Sequence, residues 1–317
     1  MIFIITKCST TELIGSKIKL VVKTLKFKVM GKQKRSENTY QKINTIFMRD
    51  VKNIIMPYDG FTEPEFEYLR GLKWRGEEKI DGTNMRIEVK SSIEYEQEYE
   101  NNIELVETDE PIGVRFDVRI AGKTDTAQVP KNLLKHMQEK YPNEKVLTAL
   151  GLKEFIPVEE WVEHKWVDAD GNPDPTVIPK MYTIYGEGYG NGIQKGGNYI
   201  KNGNEFIVFD VKVNNIWLKT DSRDEIANKL GAPIVPFIGY FTLDEAIEFV
   251  RKGFISTISE NREYMAEGLV LRTDLGLLNR MGKRLIVKIK YKDFQKYRNV
   301  YGTDEKVDQI KNENYSE

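Results

Sequence analysis

The sequence predicts an α+β fold of mixed, mostly antiparallel β-sheets flanked by helices. Strand-like segments recur along the chain, helical segments fall between them at irregular intervals, and no segment is repeated. Regular βαβ folds alternate strands and helices, so this irregular order argues against them. The length of 317 residues fits one large domain or two medium ones.

Four helices are predicted. A short helix at 65–69 follows a proline, and the segment 130–141 begins with proline and has apolar residues at helical spacing. The segments 222–231 and 242–253 each begin with Ser or Thr, carry Glu three residues later and end in Gly. Those features indicate a capping box at the start of each helix and a glycine stop at its end.

Strands are predicted wherever residues alternate or form short apolar runs. They are 75–89, 114–120, 181–188, 205–213, 267–273 and 284–291. The run 94–110 carries eight acids and no base, which predicts a solvated loop or an excursion between strands.

Three regions are expected along the chain. Residues 1–38 read as a basic, loosely ordered extension, or alternatively as a basic arm that touches RNA; residues 39–298 form the ordered domain, and 299–317 a polar tail. The net charge is −1, so any nucleic-acid contact must use local basic segments such as 283–298.

Several classes of chemistry are poor fits. Cys8 is the only cysteine, so an internal disulfide framework is excluded and a reducing cytoplasm is expected. His136 and His164 are the only histidines and lack metal-like neighbours in the sequence. Acid, base or metal chemistry therefore falls to Lys, Arg, Asp and Glu, which points to magnesium and phosphates. No stretch approaches the roughly eighteen apolar residues of a membrane span.

The segment "EKIDGTN" contains a lysine that could be a nucleophile. On a strand, Lys79 and Asp81 would share a face, and Gly82 would permit a turn. The alternatives are a surface ion pair on a hairpin and an amine activated by a neighbouring cation or metal.

Other segments also allow two interpretations. "YGEGYGNGIQKGG" fits neither common phosphate-loop spacing, which leaves Glu187 beside a flexible loop, facing either ribose hydroxyls or water. Phe209 in "FIVFD" is either a core residue or a platform for a base.

Near the end of the chain, Glu267 is either solvated or a metal ligand. Lys288 and Lys290 would lie about 7 Å apart on one face of a strand. They would repel each other unless they face solvent or an anion such as a triphosphate.

The order of these motifs resembles the covalent nucleotidyltransferase superfamily of polynucleotide ligases and mRNA capping enzymes. "EKIDGTN", "GEGYGNGIQ" and "VKIKYKDF" are most similar to the RNA ligase family related to bacteriophage double-strand RNA ligases. "YQKINTIFMRD" at 40–50 resembles the lead-in of those proteins, and the resemblance spans residues 39–298. It implies the nucleotidyltransferase (adenylyltransferase) fold and, for a viral protein, the host cytoplasm.

The resemblance implies that Lys79 attacks the ATP α-phosphate to form a lysyl-AMP, with Mg²⁺ or Mn²⁺ bound at Glu267. It also implies roles in binding ATP: Glu78 at the adenine edge, Glu187 at the ribose and Phe209 stacked on adenine. The full ATP-binding set is Glu78, Ile80, Asn84, Lys123, Glu187, Phe209, Lys288 and Lys290. Asn84 stands where DNA ligases usually carry arginine.

The sequence departs from the family pattern in two places. Lys123 in "AGKTDTAQVP" stands where relatives usually offer an arginine, and a lysine lacks its bidentate fork. Arg86 and Arg119 are alternative carriers of that charge, and together with Lys292 they are candidate RNA or phosphate contacts. Only 27 residues follow Lys290, so we expect no C-terminal OB-fold.

These features predict an ATP-dependent RNA ligase that passes AMP to an RNA 5′-phosphate and joins that end to a 3′-hydroxyl. The expected protein is a monomer that binds RNA and no membrane, with a possible partner protein in place of a C-terminal domain. Two enzymatic alternatives remain, a minimal DNA ligase and a capping-type nucleotidyltransferase. A third is a catalytically silent RNA-binding relative.

Overall fold

A computed structural model describes residues 39–57, 60–100, 104–194 and 199–302. The predicted basic extension at 1–38 lies outside the described residues, as does the predicted polar tail from residue 303 onward.

The described residues form eleven strands and six α-helices. The strands are β1 Asn44–Thr45, β2 Trp74–Glu78, β3 Thr83–Glu100, β4 Glu104–Gly122, β5 Phe155–Pro157, β6 Met181–Gly190, β7 Asn204–Val213, β8 Ile216–Trp217, β9 Phe237–Phe241, β10 Gly268–Arg272 and β11 Ile286–Lys290. The helices are α1 Pro64–Tyr68, α2 Lys131–Lys140, α3 Asn143–Ala149, α4 Thr220–Leu230, α5 Leu243–Lys252 and α6 Tyr291–Tyr301.

Two sheets organise the chain and confirm the predicted α+β class. The first sheet has the order β1-β11-β10-β2-β9; β1 and β11 pair in parallel, and the other pairs are antiparallel. The second has the order β5-β4-β3-β6-β7-β8 and is antiparallel throughout.

Helices cover one face of each sheet. Trp74, Leu271 and Val287 of the first sheet are buried in one apolar cluster with side chains of α5 and α6. A second cluster joins the six-stranded sheet to α2, α3 and α4. Burial of these apolar faces supplies most of the stabilisation, and it leaves the other faces free to line a cavity.

The chain from Lys79 to Gly82 passes from one sheet to the other. β2 pairs with β9 and β10 in the first sheet, whereas β3 pairs with β4 and β6 in the second. The hairpin interpretation of "EKIDGTN" is therefore wrong. Alternation showed where strands occur but could not show which sheet each strand joins.

The acidic run forms strand rather than a solvated loop. β3 and β4 pair along a long antiparallel hairpin that includes most of residues 94–110. The predicted loop is wrong, because β3 and β4 continue their pairing through most of this run. An acidic composition lowers the expectation of a packed strand but does not prevent backbone pairing in a hairpin.

The two predicted capping boxes differ in outcome. At α5 the Thr242 hydroxyl accepts from the Glu245 amide and the Glu245 carboxylate accepts from the Thr242 amide, as predicted. The predicted capping box at Ser222 is wrong, because α4 begins two residues earlier, at Thr220. The Lys219 carbonyl already accepts a hydrogen bond from the Arg223 amide. The predicted stop of α4 is confirmed, since Gly231 has a left-handed φ of 66°.

A buried ionic network joins the two sheets. Glu77 on β2 lies 2.8 Å from Arg223 of α4 and 3.0 Å from Arg272 on β10. Asp210 on β7 lies 3.5 Å from Arg272 and 2.8 Å from Arg284. Both carboxylates are 1% exposed, so each needs these partners to offset the loss of hydration.

No helix within the described ranges has the length and apolar character needed to cross a bilayer.

Replacing Asp210 with alanine should lower the free energy of unfolding by about 3–5 kcal/mol, because it leaves buried arginines without their partner. Urea unfolding measures the change. Asp244→Ala is the matched control, since its ion pair with Arg70 is exposed and should contribute less than about 1 kcal/mol. Equal losses in the two variants would contradict the assigned role of the network.

Candidate active site

A cavity of about 400 Å³ lies between the two sheets, beside the segment that connects them. Eight of the residues predicted from sequence line it: Glu78, Lys79, Ile80, Asn84, Lys123, Glu187, Phe209 and Lys288. Residues from both sheets thus meet where the chain crosses from one to the other.

Lys79 is held at the cavity by Glu267. Its Nζ lies 2.6 Å from Glu267 Oε2, and its backbone amide donates to the Gly268 carbonyl at 2.9 Å. The other carboxylate oxygen of Glu267 lies 2.6 Å from Lys290 Nζ. The antiparallel register that pairs Gly268 with Lys290 brings these groups together.

Burial and neighbouring charges together shift the pKa values of Lys79 and Glu187. Burial lowers the pKa of Lys79, but attraction to Glu267 and Glu187 outweighs it, and the net pKa is raised. Burial raises the pKa of Glu187 to about 7 against the opposing effect of Lys79. Lys79 is therefore an ammonium at neutral pH and must lose a proton before it can act as a nucleophile.

The pKa of Lys288 is lowered, in contrast to the raised pKa values of Lys79 and Glu187. Burial, followed by repulsion from Lys290 and Lys79, lowers the pKa of Lys288 to about 8. A bound anion would offset the repulsion between these clustered lysines and favour their charged forms. This supports a phosphate site at the Lys288 end of the cavity.

Gly82 allows the two backbones to approach closely. A Cβ at Gly82 would lie 2.2 Å from the carbonyl oxygen of Gly188, so any larger residue would push β3 away from β6. Nearby, the Tyr199 hydroxyl accepts a 2.9 Å hydrogen bond from the Asp81 amide. These contacts fix the connecting segment that carries Lys79.

Glu78 lies beside the cavity, but protein groups occupy its carboxylate. Ser256 Oγ donates at 2.5 Å, and the amide and hydroxyl of Thr257 donate at 2.9 and 2.7 Å. The side chain therefore fits a role in positioning the chain before Lys79 better than the predicted contact with adenine.

Apolar side chains line the end of the cavity near Phe209. Val235 packs with Phe209 and the buried Ile80 there, whereas Val270 lies opposite Lys288 in the pairing of β10 with β11. The Phe209 carbonyl accepts hydrogen bonds from two arginines of the ionic network, at 3.1 and 3.3 Å. A flat apolar group such as a nucleobase would fit this surface.

Asn84 lies opposite Glu187 in the pairing of β3 with β6. Its Oδ1 atom is buried without a hydrogen-bond partner in the described protein. Since a buried polar atom without a partner is costly, a donor on a bound ligand would stabilise it.

The candidate RNA contacts fall in different environments. Arg86 is fully buried, forms ion pairs with Glu88 and Asp125, and donates to the Lys123 carbonyl at 3.3 Å. This position does not fit an RNA contact, and Arg86 instead positions Lys123. Arg119 is exposed and lies 3.7 Å from Asp125.

Lys292 is also exposed and lies 3.6 Å from Asp81. It is close enough to the connecting segment to meet a substrate phosphate there.

Sequence reasoning missed Tyr40, Arg272 and the Ser256–Thr257 pair. Tyr40 lines the cavity and donates to Asp210 at 2.8 Å; the only signal for it was the resemblance of the lead-in at 40–50. Arg272 and Ser256 gave no local signal, because their partners are far away in the chain.

A metal would have to share its coordination with a substrate. Within the described ranges, no group of three or more His, Cys, Asp or Glu side chains is arranged to hold a metal ion. Mg²⁺ is often bound by one or two carboxylates together with substrate phosphates. The buried Glu267 carboxylate beside Lys290 fits that kind of site.

A comparison with protein-family models matches residues 72–290 to the family described as RNA ligase. No curated protein matches the sequence significantly.

Similar solved structures include three of Naegleria gruberi RNA ligase. A mutant with ATP and Mn is 16% identical, with 81% of this chain and 63% of that chain covered and a TM-score of 0.40. A mutant with AMP and Mn is 17% identical, with 83% and 62% covered and a TM-score of 0.41. The complex with PPi is 15% identical, with 83% and 64% covered and a TM-score of 0.39. The chain thus spans less than two thirds of the length of these proteins.

Gly82→Ala should lower the free energy of unfolding by about 1–3 kcal/mol, because the new methyl group overlaps the Gly188 carbonyl. Gly71→Ala is the control, since no atom lies within 4 Å of a Cβ built there. Urea unfolding of both variants measures the effect. If Gly82→Ala were as stable as Gly71→Ala, the close approach would not constrain the site.

Proposed function

Since this chain belongs to the RNA ligase family, we propose that it is an ATP-dependent RNA ligase acting through a lysyl-AMP at Lys79. The observation that carries the proposal is the buried contact of Lys79 with Glu267, 2.6 Å apart. This contact lies beside a cavity with an apolar end and a lysine-rich end. The proposed catalytic domain is residues 39–298.

The first step transfers AMP to the protein. The unprotonated Nζ of Lys79 attacks the α-phosphorus of ATP, a P–N bond forms, the bond to the bridging oxygen of the β-phosphate breaks, and pyrophosphate leaves. Glu267 is the nearest carboxylate to the amine and provides a path for its proton. Mg²⁺ or Mn²⁺ bound at Glu267 would neutralise phosphate charge and compete with Lys79 for the carboxylate.

Two further transfers complete the reaction. An oxygen of the RNA 5′-phosphate attacks the lysyl-AMP phosphorus, and the P–N bond breaks to return the free amine. A 3′-hydroxyl then attacks the RNA 5′-phosphorus, loses its proton, and displaces AMP to leave a phosphodiester. In each transfer the protein mainly positions the groups and offsets developing negative charge.

The remaining side chains divide between the two ends of the cavity. Phe209 and Ile80 would hold the adenine, and Glu187 would accept from the ribose hydroxyls. Asn84 would use its unpartnered Oδ1 to accept from the nucleotide. The phosphates would be held by Lys123, Lys288 and Lys290, while Arg119 and Lys292 would meet RNA phosphates outside.

Incubation with labelled ATP and Mg²⁺ should place one AMP on the protein, and Lys79→Ala should abolish this labelling because no other amine replaces the nucleophile. Gel electrophoresis under denaturing conditions measures the label. Lys52→Ala, at an exposed lysine, should label like the wild type. An unlabelled wild type, or a labelled Lys79→Ala, would overturn the proposal.

The substrates are tested separately. Labelling should be stronger with ATP than with GTP, and joined product should form on RNA rather than on DNA. Preference for GTP would favour the capping-type alternative, and joining of DNA alone the minimal DNA ligase. RNA binding without a lysyl-AMP would favour the silent relative.

Affinity for α,β-methylene-ATP should fall by roughly threefold to tenfold between pH 7.5 and 9, because Lys288 loses the proton that attracts the phosphates. Its pKa of about 8 lies in this window, whereas that of Lys79 is raised above it. Isothermal titration calorimetry measures the affinity. Lys288→Arg should bind with little pH dependence, and a Lys288→Met variant with the wild-type slope would contradict the assignment.

A further inference from the structure

Two exposed aromatic rings and an arginine form a surface at the free edge of the first sheet. Phe237 and Tyr240 of β9 are 46% and 48% exposed, and their ring centroids lie 5.1 Å apart. The Arg75 guanidinium lies over the Phe237 ring, 4.4 Å from its centroid. We call these three residues the arginine–aromatic platform.

A β-bulge puts both rings on the same face of the sheet. Phe237 and Tyr240 are three residues apart, so in a regular strand they would point to opposite faces. In the pairing of β9 with β2, Tyr240 lies opposite Arg75 and Phe237 opposite Glu77, with a register shift between Gly76 and Glu77. Bulges of this kind commonly redirect side chains beside functional sites.

The platform lies on the face of the first sheet that lines the cavity. Arg75 and Glu77 are two residues apart on β2 and therefore share a face. Arg75 lies directly opposite Arg272 of the neighbouring strand β10. Glu77 and Arg272 both line the cavity. Lys79 lies four positions after Arg75, just beyond the end of β2, which corresponds to about 13 Å of extended chain.

The charge of the platform favours an anionic partner. Arg75 belongs to the buried ionic network, which has one more positive than negative charge. Its four arginines are Arg75, Arg223, Arg272 and Arg284, and its three carboxylates are Glu77, Asp210 and Asp224. Among these arginines, Arg75 has the most exposed side chain. The excess charge is thus closest to solvent at the aromatic rings.

We infer that the arginine–aromatic platform stacks a base of the substrate RNA about two nucleotides from the reacting end. Exposed rings offer a base a π-face, and a guanidinium can stack and also attract the phosphate backbone. The inference rests on the proposed function, because it assigns the site an RNA substrate. The platform residues do not line the cavity that contains Lys79, so the adenylation step should not need them.

The Phe237→Ala/Tyr240→Ala double variant should bind single-stranded 5′-phosphorylated RNA roughly fivefold to a hundredfold more weakly, because the stacking surface is lost. Fluorescence anisotropy measures the dissociation constant, and lysyl-AMP formation from ATP is measured in the same preparation. Lysyl-AMP formation should stay within about twofold of the wild type. Tyr68→Ala removes another exposed ring and should leave both quantities unchanged.

Conservative variants separate stacking from structure. Phe237→Ala should weaken RNA binding, whereas Phe237→Tyr, which keeps a ring at this position, should bind RNA like the wild type. Arg75→Gln should lower the slope of log affinity against log salt concentration by about one. Wild-type RNA affinity in the double variant would overturn the inference while leaving the proposed function intact. If that variant instead lost self-association in sedimentation, the platform would contact a protein partner.

Failure of the proposed function and failure of the platform inference give different results in these experiments. A wild-type protein that forms no lysyl-AMP would overturn the proposed function. RNA binding that still depended on Phe237 and Tyr240 in such a protein would support the platform.

Discussion

The buried pairing of Glu77 and Asp210 with arginines is the constraint on which the rest of the structure depends. Glu77 belongs to the first sheet and Asp210 to the second, and Arg272 lies between them. Because unpaired buried charges are costly, the two sheets must remain in the arrangement that satisfies both carboxylates. That arrangement creates the cavity and places the Phe209 carbonyl where arginines can hold it.

The connecting segment turns this arrangement into a candidate active site. Glu77 fixes the end of β2, Ser256 and Thr257 hold the next residue, and Gly82 lets the chain enter the second sheet. Lys79 lies between these anchors, which fix the position of its backbone beside the cavity. Its amine is paired with Glu267 and protonated, so the proposed reaction requires that pairing to be relieved first.

Sequence predicted many of the residues that line the cavity, but it did not predict how the sheets assemble. Lys79, Glu187 and Lys288 could be found because motif residues keep their chemistry and order along the chain. The capping box of α5 was also local and could be read directly. The passage between sheets, the bulge beside Phe237 and the partners of Arg272 depend on contacts between distant segments, which neither periodicity nor composition encodes.

The most direct test of the central claim is tandem mass spectrometry of the protein after incubation with ATP and Mg²⁺, which identifies the residue that carries AMP. The structure predicts a single AMP on the peptide containing Lys79, attached to its side-chain nitrogen. AMP on Lys288 or Lys290, or a fully unmodified protein, would contradict the claim that the lysine between the two sheets is the nucleophile.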